Sequence, residues 1–154
     1  MKLSDNTLNL IAETLQAIET ETSALYNAKR EAFTSDQIAA DYFKIKLSHL
    51  ESEQFEVAFL DSQHRLIECR TMFKGTINAA SVYPREVAKL ALELNAAVVI
   101  LAHNHPSGLL EPSQADISIT NKLKEGLALF DINTLDHIIV AGNNHISFSS
   151  RGLL

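Results

Sequence analysis

The sequence predicts an α/β protein, a sheet with helices packed on it, and three observations carry that reading. Segments whose apolar residues recur every three or four positions are interleaved with segments whose apolar residues alternate. One run, Ala97-Val98-Val99-Ile100-Leu101, is continuously apolar with β-branched residues at its centre, the pattern of a strand covered on both faces. The chain has 154 residues, 46% apolar and 21% charged, with 5 Gly and 3 Pro, which suits one globular domain with a continuous core.

Leu8, Ile11, Leu15, Ile18 and Leu25 form one apolar stripe of a first helix, which Thr22 interrupts. Too few heptads are present for a coiled coil, so the stripe is expected to dock on the domain rather than to dimerise. A second helix is expected to start at Thr34-Ser35-Asp36-Gln37, with Thr34 and Gln37 at capping-box spacing, and to run through Ala40, Phe43, Ile45 and Leu47. Residues 1–33 therefore read as an N-terminal helical extension, and residues 34–154 as the domain proper.

Phe55, Val57 and Phe59 alternate, Asp61-Ser62-Gln63 turn, and Arg65 to Arg70 complete a hairpin. Gly75-Thr76-Ile77-Asn78 leads into a third short strand and a turn. Pro84 suits a first helical position, and Val87, Leu90, Ala91 and Leu94 give that helix its buried face. The strand at 97–101 follows. A further helix opens at Pro112-Ser113-Gln114-Ala115-Asp116 and runs through Ile119, Leu123, Leu127 and Phe130. His137 to Val140, the Gly142-Asn143-Asn144 turn and His145 to Phe148 make a closing hairpin.

Thirteen Lys plus Arg against nineteen Asp plus Glu give a net charge of −6, and the longest basic run is Lys29-Arg30. This balance argues against a large nucleic-acid footprint, which needs concentrated positive charge to displace counterions. The single cysteine, Cys69, excludes an intramolecular disulfide or a Cys-only metal cluster and reads as a small, buried or half-buried thiol in a reducing compartment. The start, MKLSDNTLNLIAETL, lacks the apolar h-region of a signal peptide, and no stretch approaches the ~20 apolar residues of a membrane helix. A cytoplasmic location without a membrane partner is expected.

His103 and His105 are two apart at the end of the buried strand, so both imidazoles point to one face while Asn104 points to the other. Pro106 and Gly108 end the strand, leaving these side chains at the carboxyl edge of the sheet, where open α/β sheets bind ligands. Asp116 follows eleven residues after His105, in the first turn of a helix whose dipole favours an ionised carboxylate. Two imidazoles and one carboxylate, with a fourth position left to water, are the donor set of a catalytic zinc. Ser113 caps the same helix and has a proton to donate to a substrate oxygen. The structural alternative is an exposed His pair on a loop and an Asp that only caps.

Asp136-His137 reads either as a pair orienting a metal ligand or, preferentially, as a polar pair at a strand start. His49, in a helix, His64, in a turn, and His145, in a terminal strand, are expected at the surface. Arg85 and Lys89 read as a small basic face beside the cleft or, more simply, as a solvated helix surface.

His103, His105, Ser113 and Asp116 match the spacing His-x-His-x7-Ser-x-x-Asp and resemble the JAMM metalloprotease signature. The surrounding words GTINAASVYPREVAKLAL, AAVVILAHNHPSGLLEPSQADISIT and LDHIIV resemble the bacterial RadC-like branch, over a span from about Gln37 to Leu154. The resemblance implies an MPN (JAB/JAMM) fold, a mixed central β-sheet flanked by helices. It implies one zinc ion held by His103, His105 and Asp116, and a metalloprotease or isopeptidase acting on a peptide or protein. It also implies an upstream glutamate as general base. Here that is most like Glu53, which shares strand parity with Phe55, whereas Glu51 lies farther out and Glu56 has the opposite parity. Ser113 would help to stabilise the oxyanion.

The second function class is a DNA-associated accessory module of repair or mobile-element biology with a structural or vestigial metal. The first fifty residues lack the Gly-rich hairpins of the DNA-associated region in longer RadC-like proteins. A third option is a nonheme iron site, because two His and one carboxylate also form a facial triad. Exposed strands and the N-terminal stripe are the candidate surfaces for homo-oligomerisation.

Overall fold

A computed structural model of the chain describes residues 3–29, 33, 35–76 and 82–154. Its elements, in chain order, are α1 (Asp5–Lys29), α2 (Asp36–Leu47), β1 (Gln54–Leu60), β2 (Leu66–Lys74), α3 (Pro84–Glu93), β3 (Val98–Asn104), α4 (Gln114–Ala128), β4 (Asn133–Ala141) and β5 (Asn144–Ser147). The strands form one five-stranded sheet in the order β2-β1-β3-β4-β5. Parallel pairing of β3 with β4, among otherwise antiparallel neighbours, makes the sheet mixed.

The continuous apolar run is β3, the central strand, and all its residues are buried. Strand alternation divides the core into two layers. Phe55, Val57, Phe59, Val99 and Leu101 pack against Val87 and Ala91 of α3 and Ile119, Leu123 and Leu127 of α4. Ala58, Leu60, Ile100, Ala102, Ile138 and Val140 face the other way, onto Phe43 and Leu47 of α2. Because β3 and β4 are parallel, the chain must return across the sheet between them, and α4 is that crossover.

Pro84 opens α3 as its composition suggests, with Tyr83 extended before it. The turn after β1 is built by Asp61, whose carboxylate accepts the backbone N–H groups of Gln63 (2.9 Å) and Arg65 (3.0 Å). Ile11, Leu15 and Ile18 of the α1 stripe are half-buried, Leu8 is exposed, and α1 lies against α2. The side chain of Leu25 lies outside the described residues.

Several boundaries differ from expectation. Ser35, not Thr34, caps α2: it is extended (φ −145°, ψ 151°) and its side chain accepts the Ile38 N–H, while Thr34 lies outside the described residues. Gly75 (φ +116°) and Thr76 form a bend where a third strand is expected, and Ile77 and Asn78 lie outside the described residues. The helix α4 stops at Ala128, because Asp131 (φ 57°) turns the chain left-handed and Ile132 N–H closes back on the Leu127 carbonyl (3.2 Å). Phe130 is left 50% exposed. The strand β4 begins four residues before His137, at Asn133, because pairing with Val98 recruits residues with no apolar alternation of their own. Among the described residues, no helix is long and apolar enough to cross a membrane.

The two-layer core makes unequal demands on its apolar residues. Phe59→Ala, at a fully buried position, is expected to cost about 3–5 kcal/mol in urea denaturation. Leu92→Ala, at a position 50% exposed, should stay within about 0.5 kcal/mol.

Candidate metal centre

The carboxyl end of β3 positions the first two histidines. His103 is the penultimate residue of the strand, on the layer of Leu101 and Phe55, and is fully buried. His105 follows the strand but keeps its direction, because its N–H donates to the Val140 carbonyl (2.7 Å). Gly108 (φ +80°) then turns the loop, and the Leu109 carbonyl accepts the Nδ1–H of His105 (2.7 Å). That bond leaves Nε2 of His105 as the lone-pair nitrogen, 2.9 Å from Nε2 of His103.

Asp116 reaches the same point from α4. Ser113 caps this helix in a reciprocal capping box: its Oγ accepts the Asp116 N–H (3.1 Å) and its own N–H donates to Asp116 Oδ2 (2.7 Å). This holds the carboxylate 3.2 Å from His103 Nε2 and 3.3 Å from His105 Nε2. One ligand atom from each of His103, His105 and Asp116 lies within 4.8 Å of the others, so the group could hold a metal ion. The donor set fits a cation on its own chemistry, because two imidazole nitrogens and a carboxylate converge with 0%, 12% and 3% of their side chains exposed.

The electrostatics follow from that convergence. Burial opposes the charge on Asp116, yet the His103 and His105 imidazoles beside it, with the Ser113 N–H, hold its carboxyl well below the usual carboxylate range. The Asp116 carboxylate raises the pKa of His105 above that of an ordinary histidine. Burial dominates at His103 and lowers its pKa, with Asp116 acting in the opposite direction.

Glu53 sits one residue before β1 and is half-buried, and its negative charge is felt by both His103 and His105. Its backbone is held on both sides by Asn104. The Asn104 side-chain oxygen accepts the Gln54 N–H (2.8 Å), and its amide donates to the carbonyls of Ser52 (3.0 Å) and Leu50 (3.4 Å). Gly75 N–H adds a bond to the Glu53 carbonyl (2.9 Å). Glu56 points to the other layer, where Thr71 Oγ1 (2.5 Å), Lys46 Nζ (3.4 Å) and Cys69 Sγ (3.4 Å) surround its buried carboxylate. Glu51 is exposed. Burial pushes the Cys69 thiol up to about 12, which makes it a poor nucleophile.

Two residues near the site were not legible as such. Asn104 reads only as pointing away from the histidines, and its role as a clamp depends on the path of residues 50–54. His137, preferred above as part of a polar pair at a strand start, is fully buried, with its Nε2 2.8 Å from His103 Nδ1. Its neighbour Asp136 points to the opposite layer and accepts Ser147 Oγ (2.5 Å) and the N–H groups of His137 (2.7 Å) and Ser149 (2.9 Å). The signal available in sequence was parity, since His137 shares a face with Ile139, but the register with β3 that brings it to His103 was not. His49, His64 and His145 are partly covered rather than surface residues, and His49 follows α2 instead of lying in it. Arg85 and Lys89 are exposed on α3, pair with Glu86 and Glu93 of the same helix, and border a shallow groove with Leu129 and Phe130.

A mixed α/β sheet carrying two histidines and an aspartate at the end of its central strand places this protein among α/β domains with a candidate metal centre at the sheet's carboxyl edge. The chain belongs to the RadC-like JAB domain family, whose model matches residues 33–153. It is 58% identical over 122 residues to a UPF0758 protein from Pseudoalteromonas translucida, covering 79% of this chain and 54% of that protein. A UPF0758 protein from Leptothrix cholodnii is 54% identical over 127 residues, covering 82% and 57%. One from Vibrio cholerae is 56% identical over 124 residues, covering 80% and 78%. The chain thus spans little more than half the length of the first two of these relatives.

Protons compete with a metal for His105 Nε2, and because the pKa of His105 is raised, that competition begins at a higher pH than for a free imidazole. Zinc uptake measured by calorimetry should be strong near neutrality and above, and should weaken as the pH falls through the raised pKa. Ser113→Ala removes the cap of α4 and should cost about 1 kcal/mol in thermal or urea unfolding.

Proposed function

We propose that this domain is a zinc-dependent hydrolase of the JAMM type that cleaves a peptide or isopeptide bond. The observation that carries the reading is the convergence of His103, His105 and Asp116, with Glu53 held close enough to act electrostatically on both histidines. His103, His105 and Asp116 would hold the ion. When bound, zinc would supply Lewis acidity, lowering the pKa of water toward ~7 and polarising the scissile carbonyl.

Glu53 takes a proton from the attacking water and returns it to the leaving amine as the C–N bond breaks. The Asn104 clamp holds the backbone on either side of Glu53. Ser113 Oγ accepts the Asp116 N–H, so its own hydroxyl proton is directed elsewhere and can donate to the oxyanion that forms on the carbonyl. Burial of the ligand set keeps competing water away from His103 and Asp116. The substrate class is a peptide or protein, and a reducing compartment such as the cytoplasm suits the free Cys69.

A DNA-associated accessory role with a structural metal is the competing reading. The net charge of −6 gives it little support. Salt-sensitive duplex binding without hydrolysis would favour it.

Metal content by inductively coupled plasma mass spectrometry, on protein purified without chelator or affinity metal, tests the centre. Wild type should carry about one zinc per chain, and His103→Ala and Asp116→Ala should lose it. In a peptide and isopeptide screen, Glu53→Gln should keep the metal and lose turnover by about 10²–10⁴-fold. A fully active Glu53→Gln removes this residue from the mechanism, and a wild type that takes up no zinc removes the hydrolase reading.

A further inference from the structure

We propose that Thr120 and His137 form a positioning relay that fixes the tautomer of His103, so that its Nε2 lone pair always faces the metal position. The proposal rests on the metal-centre reading and assigns two further residues to it.

The relay is a chain of single protons, and its direction follows from donor counting. Thr120 Oγ1 lies 2.6 Å from the Asp116 carbonyl, which can only accept, so the hydroxyl proton is spent there. Toward His137 Nδ1, 2.5 Å away, the same oxygen must therefore accept, which places a proton on Nδ1. His137 is fully buried, and its two nitrogens are bonded to a hydroxyl and to another imidazole rather than to a carboxylate, so it stays neutral. A neutral ring protonated at Nδ1 carries a lone pair on Nε2. That lone pair lies 2.8 Å from His103 Nδ1, which must donate to it. His103 is then left with its lone pair on Nε2, the atom 3.2 Å from Asp116 Oδ1.

Packing holds the relay in register. The His137 ring contacts Phe55 edge-on (centroids 5.4 Å apart, 67°) and lies tilted against Phe148 (4.7 Å, 34°). His103 stacks on the same Phe55 (6.0 Å, 11°). Thr120 is fully buried, so a lost hydroxyl is not readily replaced by bulk water. On α4, Thr120 lies four residues after Asp116 and so on the same helix face. Two of the three ligands are thereby tied together twice: directly at the metal position, and again through the Asp116 carbonyl, Thr120 and His137.

If the Thr120 oxygen is removed, His137 is free to carry its proton on Nε2. It would then donate to His103 Nδ1 and drive the His103 proton onto Nε2, closing the ligand position. His137 and Thr120 are positioning residues; neither touches the reacting atoms.

The test uses Thr120→Val, which keeps the shape and loses the hydroxyl, Thr120→Ser, which keeps it, and His103→Ala. The first readout is the tautomer of His103 in metal-free, 15N-histidine-labelled protein, from long-range 15N–1H correlation spectra. Wild type and Thr120→Ser should show His103 protonated at Nδ1, and Thr120→Val should show protonation at Nε2 or a mixture. The second readout is zinc affinity by chelator competition, expected to fall about 10–100-fold in Thr120→Val and to stay near wild type in Thr120→Ser. A wild-type spectrum with His103 protonated at Nε2 overturns the relay by itself, even if Thr120→Val fails to fold. Loss of zinc in His103→Ala with unchanged affinity and tautomer in Thr120→Val overturns the relay and keeps the metal centre. Zinc uptake indifferent to His103→Ala overturns both.

Discussion

Parallel pairing of β3 with β4 is the constraint on which the rest of the architecture depends. It forces the chain to cross the sheet, and the crossover is α4, whose first turn carries Asp116 over the end of β3. It also sets the register in which His137 pairs with Leu101, two residues before His103, so that the two histidines become diagonal neighbours on one face. Antiparallel pairing of β1 on the other side of β3 brings Phe55 opposite His103 and delivers Glu53 to the same edge. Three chain segments distant in sequence are thus gathered by one sheet.

Gathering them places polar groups where the core would otherwise be apolar. His103, His137, Thr120 and Asp116 are all essentially excluded from solvent, and each has a hydrogen-bond partner among the others. A buried network of this kind specifies one arrangement, because any half-satisfied alternative leaves a desolvated donor or acceptor. The second layer shows the same economy with different chemistry. Glu56 is buried between Lys46, Thr71 and Cys69 and acts as a polar anchor between α2 and the sheet. Two glutamates three residues apart, Glu53 and Glu56, therefore have unrelated surroundings, and the pleat of β1 separates them.

What was legible in the sequence was whatever lies close along the chain. Alternation in 55–59 and the β-branched run at 97–101 marked the strands, and the spacing of His103, His105, Ser113 and Asp116 marked the cluster, because a strand end and a following helix start are near neighbours. Parity in β1 also separates Glu53 from Glu56, which lies in the other layer. What stayed hidden depends on register. His137 looks like any polar residue near a strand start until its pairing with β3 is known, and Asn104 looks like a spacer until residues 50–54 pass beneath it. The cap of α2 falls on Ser35 rather than on Thr34, one residue earlier, because the two offer the same capping chemistry in sequence and the extended backbone of Ser35 decides it. Asn133 to Asp136 join β4 through pairing, not through any pattern of their own.

His103, Asn104 and His105 alternate across the sheet, so two of the three meet Asp116 while the middle one grips the backbone around Glu53. One consequence is mechanical. The segment carrying Glu53 and the histidines facing Asp116 are tied to the same three residues of backbone, so a displacement of this strand end would move them together. The spacing among these groups is therefore set by one short stretch of β3 rather than by the loops around it.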